Sequence, residues 1–136
     1  MFSGMKDDTK SSYQERILKV LLYIQSNLYE SLSLEELAEV ACFSPYHFHR
    51  IFRGMVGETL AEHIRRLRLE RAAQLLVQTQ IHRSITDLAF EAGYETVESF
   101  TRAFKARFGV APSEYKKNNG QKVVSNVPDF ERKGEL

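Results

Sequence analysis

Hydrophobic residues recur along this chain at intervals of three and four, a pattern that predicts helices. Between Tyr13 and Leu28, apolar residues at positions 17, 20, 21, 24 and 28 share one helical face. Six more helices are predicted at about 34–41, 45–56, 59–78, 84–92, 96–108 and 112–117. Because no segment alternates convincingly like a strand, the predicted fold class is all-α with seven helices.

Polar residues mark where several of these helices begin and end. Ser33, with Glu36 three residues later, forms a capping-box pattern, and Ser44 before Pro45 is an N-cap followed by a first-turn proline. Thr59 caps the longest helix, of roughly 19 residues or ~28 Å. Gly57 ends the helix before it.

Part of the pattern occurs twice. Leu37, Ala38 and Ala41 match Leu88, Ala89 and Ala92 at an offset of 51. After the next turn the offset is 52, and it relates four further pairs: Phe48 to Phe100, Phe52 to Phe104, Arg50 to Arg102 and Gly57 to Gly109. Each copy is a short helix, a tight turn and a second helix, which is typical of a helix-turn-helix. The long helix lies between the copies.

The stretch ACFSPYHFHRIF raises the question of a metal site. On a helix starting at Pro45, Phe48 and Phe52 face the core, whereas Tyr46, Arg50 and Arg53 face outward. His47 and His49 lie two residues apart and project in nearly opposite directions, so no metal site is predicted. In the second copy the outward residues are Glu98, Thr101, Arg102 and Lys105, and Val97, Phe100, Ala103 and Phe104 face inward.

Basic and acidic residues are concentrated in different predicted helices. Residues 44–71 contain six arginines and three glutamates, and residues 96–117 contain five basic and two acidic residues. Residues 30–41 carry four glutamates. This distribution favours a polyanion such as double-stranded DNA on the second helix of each pair, although cations that merely solvate exposed faces give a similar pattern.

Several function classes are not expected. The sequence has no paired nucleophile and base, no glycine-rich phosphate loop and no ligand spacing for a catalytic metal, so we predict neither an enzyme nor a cofactor. The single cysteine excludes an internal disulfide framework, and no apolar run approaches membrane-spanning length. We predict a soluble, cytoplasmic protein.

Residues 13–118 resemble the DNA-binding domain of the AraC/XylS family of bacterial transcription regulators. The residues that carry the resemblance are RAAQLLVQTQIHRSITDLAFEAGYETVESFTRAFKARFGVAPSEY and SLEELAEVACFSPYHFHRIFRGMVG. The resemblance implies two helix-turn-helix lobes, at 13–57 and 84–118, joined by a linker helix at 59–78. It also implies a sequence-specific activator or repressor that places the helices at about 45–56 and 96–108 in adjacent major-groove segments.

Carried over by position, the resemblance implies base contacts from Tyr46, His47, His49, Arg50, Val97, Glu98, Thr101 and Arg102. Phosphate contacts are expected from Arg53, Lys105 and the helix starts at Ser33 and Ser84. Three structural alternatives remain open: Tyr46 packs on the linker helix, His47 caps a helix or fills a gap, and Arg65, Arg66 and Arg68 face water.

Cys42 departs from the family pattern, which usually has glycine at this turn position, as the second copy does at Gly93. If the position needs positive φ, cysteine costs about 1 kcal/mol there. A small buried residue and a reactive redox thiol are the alternative roles for this cysteine.

The ends of the chain are polar. Residues 1–12 are predicted to be a flexible segment, and 119–136 a tail or a linker to an effector-binding or dimerisation domain missing from this sequence. We expect a fragment of a longer protein, with a single-domain regulator as the alternative. RNA polymerase is an expected partner, and a helical module that docks on the polymerase or on another regulator is the alternative function.

Overall fold

The computed structural model describes residues 7–78 and 83–119 of the chain, and this part contains seven helices and no strand. The predicted all-α fold class is confirmed. The helices are α1 (Asp7–Ser26), α2 (Leu34–Ala41), α3 (Pro45–Val56), α4 (Leu60–Leu76), α5 (Ile85–Glu91), α6 (Val97–Phe108) and α7 (Pro112–Asn119).

The predicted helix boundaries differ from those in the structure by a few residues in α1, α4 and α7. Helix α1 begins at Asp7, so residues 7–12, which belong to the predicted flexible segment, are helical. Helix α4 has 17 residues and ends at Leu76, two residues before the predicted end. Helix α7 continues to Asn119, the first residue of the predicted tail. The rest of the two predicted end segments, 1–6 and 120–136, lies outside the described residues.

The chain divides into two compact units, and the division falls within α4, between Leu67 and Arg68. The core of the first unit consists of Ile17, Val20, Ile24, Leu28, Leu37, Ala38, Ala41, Phe48, Phe52, Leu60 and Ile64. The core of the second unit consists of Leu69, Ala72, Ala73, Leu76, Leu88, Ala89, Ala92, Phe100 and Phe104. Helix α4 therefore supplies apolar side chains to both cores.

A turn with the same hydrogen-bond pattern connects the two helices of the helix-turn-helix in each unit. In the first unit, the Cys42 N–H donates to Glu39 O (3.0 Å) and the Phe43 N–H to Ala38 O (2.9 Å). The corresponding bonds in the second unit run from Gly93 to Phe90 (3.0 Å) and from Tyr94 to Ala89 (3.1 Å). Cys42 and Gly93 both have positive φ, 61° and 95°. The cysteine therefore occupies a left-handed position that favours glycine.

The internal repeat extends further toward the amino terminus than the helix-turn-helix. At the offset of 52, buried Ile17, Val20 and Ile24 of α1 correspond to buried Leu69, Ala72 and Leu76 of α4. Helix α4 thus supplies buried apolar side chains to the second core at positions that correspond to those of α1 in the first core. Arg16 corresponds in the same way to Arg68.

None of the helices within the described residues is both long enough and apolar enough to span a membrane.

Candidate nucleic-acid interface

The outer face of α3 consists of polar and aromatic side chains held in place by a buried phenylalanine pair. Phe48 and Phe52 are completely buried, with ring centroids 5.6 Å apart. The Ser44 hydroxyl accepts a hydrogen bond from the His47 N–H and caps the helix. This packing leaves five predicted contact residues exposed, namely Tyr46, His47, His49, Arg50 and Arg53.

Tyr46 is the most exposed large hydrophobic residue in the described part of the chain, at 73% of its maximum. It therefore does not pack on the linker helix, which was the structural alternative. The Arg50 guanidinium carbon lies 5.8 Å from the centre of the Tyr46 ring, a cation–π distance one helical turn along α3. The two side chains present an aromatic surface and a cation together.

Helix α6 presents a similar face in the second unit. Phe100 and Phe104 are completely buried, and Glu98, Arg102 and Lys105 are exposed, with Thr101 partly exposed. Val97 differs from these residues because its side chain packs against the second core. We therefore remove Val97 from the predicted base contacts.

The two helix starts predicted to bind phosphate use their serine hydroxyls as caps. Ser33 Oγ accepts from the Glu36 N–H (3.0 Å), and Ser84 Oγ accepts from the Asp87 N–H (3.0 Å). Glu35, Glu36 and Asp87 add negative charge to the same first turns. Carboxylates there repel a phosphate, so Ser33 and Ser84 are weaker candidates than exposed cations.

Several basic side chains outside these faces form salt bridges within the protein. Arg66 pairs with Glu58 (2.8 Å), Arg107 with Glu70 (2.5 Å), and Arg83 with Glu91. By contrast, Arg50, Arg53, Arg102 and Lys105 form no ion pair with any residue that the structure describes. The cations that form no salt bridge in the described part of the chain include those on the outer faces of α3 and α6.

A partly buried polar cluster around the start of α4 includes one of these ion-paired arginines, Arg66. His63 is 7% exposed, contacts the Phe52 ring edge-to-face (5.5 Å) and hydrogen-bonds through Nδ1 to Glu58 Oε2 (2.7 Å). Burial alone would raise the pKa of the Glu58 carboxyl, but hydrogen bonds from Arg66 and His63 lower that pKa below its ordinary value. Arg66 therefore supports the first unit and does not simply face water.

Arg68 also lies against the protein. Its Nη1 atom is 3.0 Å from the position that a Cβ at Gly93 would occupy. The guanidinium thus lies beside the turn of the second helix-turn-helix, so Arg68 does not simply face water, which was the alternative left open for it.

Arg16 of α1 contacts the corresponding turn in the first unit, and sequence reasoning missed this residue. Its Nε donates to Ala41 O (2.7 Å), and Nη2 donates to Cys42 O. The repeat offset of 52 between Arg16 and Arg68 was the available signal. Arg16 secures the turn from which α3 begins.

The described residues contain no group of three or more potential metal ligands. Cys42 is exposed. The interpretation of this cysteine as a small buried residue was therefore wrong.

Comparison with known proteins shows which family this chain belongs to. A family model described as a helix-turn-helix domain matches residues 37–118. The chain is 38% identical over 111 residues to the transposon protein TetD of Escherichia coli, and the match covers 82% of this chain and 79% of TetD. It is 35% identical over 107 residues to the transcriptional activator AarP of Providencia stuartii, covering 78% of each protein.

Other relatives are longer. The HTH-type transcriptional regulator YbfP of Bacillus subtilis is 40% identical over 104 residues, but the match spans only 35% of its length. Among solved structures, a regulator with an AraC-type DNA-binding domain from Chromobacterium violaceum superposes with a TM-score of 0.72 at 25% identity, covering 82% of this chain and 97% of that chain. The chain therefore belongs to the AraC/XylS family of sequence-specific DNA-binding transcription regulators.

Proposed function

We propose that this chain regulates transcription by binding double-stranded DNA through the outer faces of α3 and α6, each helix entering one of two adjacent major-groove segments. One observation carries the proposal. Arg50, Arg53, Arg102 and Lys105 form no salt bridge in the described part of the chain, whereas Arg66, Arg83 and Arg107 are ion-paired. Exposed cations that are not held in salt bridges remain available to bind a polyanion.

Within each face, the residues are assigned to bases or to phosphates by chemistry. Arg50 and Arg102 occupy equivalent repeat positions and suit guanine, whose O6 and N7 accept two hydrogen bonds from one guanidinium. Tyr46, His47, His49, Glu98 and Thr101 complete the proposed base-reading set. Glu98 suits the amino group of cytosine. Arg53 and Lys105, three residues further along each helix, are assigned to phosphates and fix the register without reading sequence.

Because the two faces differ, the proposed DNA site is asymmetric. Tyr46 and His49 of α3 correspond at the offset of 52 to Glu98 and Thr101 of α6. Each unit is expected to prefer its own base sequence, so a single chain reads two unlike segments of a duplex without a palindrome.

Selection from a randomised duplex pool tests the proposal. The wild-type chain should enrich a sequence with two conserved segments; Arg50→Ala should relax preference in one segment and Arg102→Ala in the other, each by about 1–3 kcal/mol. Lys19→Ala, which removes an exposed cation from α1, is the matched control and should leave the enriched sequence unchanged. Enrichment of no sequence, or an equal effect of Lys19→Ala, would refute the proposal.

The alternative function, docking on RNA polymerase or another regulator with DNA contact incidental, predicts different behaviour. A protein contact made through a small interface has no steep dependence on salt, whereas DNA binding through several phosphates weakens by orders of magnitude between about 50 and 200 mM salt. A polymerase contact made alongside DNA binding is compatible with the proposed function and needs separate measurement on a DNA-bound chain.

A further inference from the structure

Arg16 is linked to the DNA-reading face of α3 by a chain of contacts. Its guanidinium donates to two carbonyl oxygens at the turn, those of Ala41 and Cys42. The same group also lies over the Phe43 ring, with the guanidinium carbon 3.8 Å from the ring centre. A planar guanidinium makes both interactions at once, which lysine cannot do.

Phe43, which Arg16 holds in place, in turn contacts His47. The two ring centroids are 5.8 Å apart and the planes meet at 66°, an edge-to-face arrangement. Tyr13 of α1 contacts both rings, Phe43 at 5.1 Å and His47 at 6.5 Å. The exposed imidazole is thereby flanked by two aromatic rings, one of them stacked under Arg16.

The second unit lacks this arrangement at the equivalent position. Residue 99, which corresponds to His47 at the offset of 52, is a serine, and its hydroxyl donates to Thr96 within the helix cap. Tyr13 corresponds to Arg65. The aromatic support is therefore specific to the first unit, so it is not a general requirement of the helix-turn-helix.

We propose that Arg16 is a positioning residue that sets base discrimination by His47, acting through Phe43 and never contacting DNA itself. The inference rests on the proposed function, because it assumes that His47 faces a base pair. A side chain held in place before binding loses less conformational freedom when the complex forms, and more of its contact energy then appears as discrimination.

The test compares base preference in the selected duplex. His47→Ala first identifies the base pair that His47 reads, as the position where preference is lost. Arg16→Ala should reduce discrimination at that base pair by about three- to tenfold, the effect of having to order one side chain on binding. Arg16→Lys should behave like Arg16→Ala, since it restores the charge without the stacked plane.

Two substitutions of Phe43 separate positioning from stability. Phe43→Leu leaves both carbonyl bonds of Arg16 in place but removes the ring beside His47, and it should reproduce the loss of discrimination. Phe43→Tyr keeps the ring and should preserve discrimination; tyrosine already occupies the equivalent position, Tyr94. If Arg16→Ala prevents folding, Arg16→Lys together with this pair of Phe43 variants still decides the question.

A double-substitution cycle gives the decisive outcome. In the His47→Ala background, Arg16→Ala should cause no further loss at the His47 base pair, and preference at the Arg50 base pair should be unchanged in both variants. Equal losses at the Arg50 base pair would show general loosening of the first unit and overturn the inference. If the wild-type chain binds specifically but His47→Ala changes no preference, positioning is refuted while the proposed function stands; if the wild-type chain selects no sequence, the proposed function itself has failed.

Discussion

Replacing Cys42 with glycine is expected to stabilise the first unit. Cys42 has φ 61° and is the only residue other than glycine with positive φ among those that the structure describes. A side chain in this left-handed conformation brings Cβ too close to the carbonyl oxygen, at a cost of about 1–2 kcal/mol. Glycine removes that contact.

The gain is partly offset in the unfolded chain. Glycine has more conformational freedom to lose on folding, which costs about 0.5–1 kcal/mol relative to a residue with a side chain. The Cys42 side chain is exposed, so its removal sacrifices little buried surface. The net stabilisation should therefore be about 0.5–1 kcal/mol, or a rise in melting temperature of about 2–8 °C for a unit of this size.

The matched control is the reverse change in the second unit. Gly93 has φ 95°, and an added Cβ would lie 3.0 Å from Arg68 Nη1. Gly93→Ala should therefore destabilise the second unit by at least about 1 kcal/mol, through both backbone strain and displacement of the arginine.

Hydrogen exchange resolves the two units separately. Cys42→Gly should slow exchange of amides in α2 and α3 and leave α5 and α6 unchanged, whereas Gly93→Ala should accelerate exchange in α5 and α6 alone. A Cys42→Gly variant that exchanges faster in α3 would refute the reasoning, because the turn would then depend on the cysteine side chain and not on its backbone conformation.

Three further predictions follow from the cores and caps. Phe104→Ala should destabilise the second unit by about 3–5 kcal/mol in urea unfolding, because the ring is completely buried; a loss below about 1 kcal/mol would contradict the core assignment. The lowered pKa of Glu58 means that its pairing with Arg66 and His63 stabilises the first unit fully above the ordinary pKa of 4.5 and progressively less as the pH falls through the folded value. Thermal unfolding between pH 3 and 6 should show this loss of stability, and the Glu58→Gln variant should lose less stability over the same range. An identical pH profile for the variant would exclude Glu58 as the cause. Ser84→Ala should cost about 1 kcal/mol by removing the cap of α5, measured by urea unfolding, and no change in midpoint would show that water replaces the hydroxyl.

Much of the fold could be predicted because its signals are local. The capping hydroxyls at Ser33, Ser44 and Ser84 lie a fixed three residues from the amides they accept from, and Phe48 and Phe52 follow the helical period. Position 42 was also predictable, since the repeat aligns it with Gly93. These features depend on sequence separation alone, which a single chain displays directly.

Contacts between distant residues were harder to predict. Arg16 reaches the turn from 25 residues away, and the repeat that pairs it with Arg68 does not by itself show that either side chain contacts a turn. His63 lies within the predicted linker helix, and its position there gives no sign that it is buried or that its Nδ1 atom hydrogen-bonds to Glu58. Val97 could have been excluded from the base contacts, since the helical wheel already placed it on the inner face of α6. The helical period shows which side chains point outward, but it does not show which of them form salt bridges. Only the structure shows that Arg66 pairs with Glu58 and that Arg50 forms no salt bridge with any described residue.

The most direct test of the central claim is the salt dependence of the dissociation constant for the selected duplex. For the wild-type chain, log Kd should rise linearly with log salt concentration, as expected for release of counterions from phosphates. The double variant Arg53→Ala with Lys105→Ala should reduce that slope by about 2, one for each phosphate contact, while keeping the preferred sequence. A slope unchanged by the loss of both cations would contradict the account, because the outer faces of α3 and α6 would then not be where this protein contacts DNA.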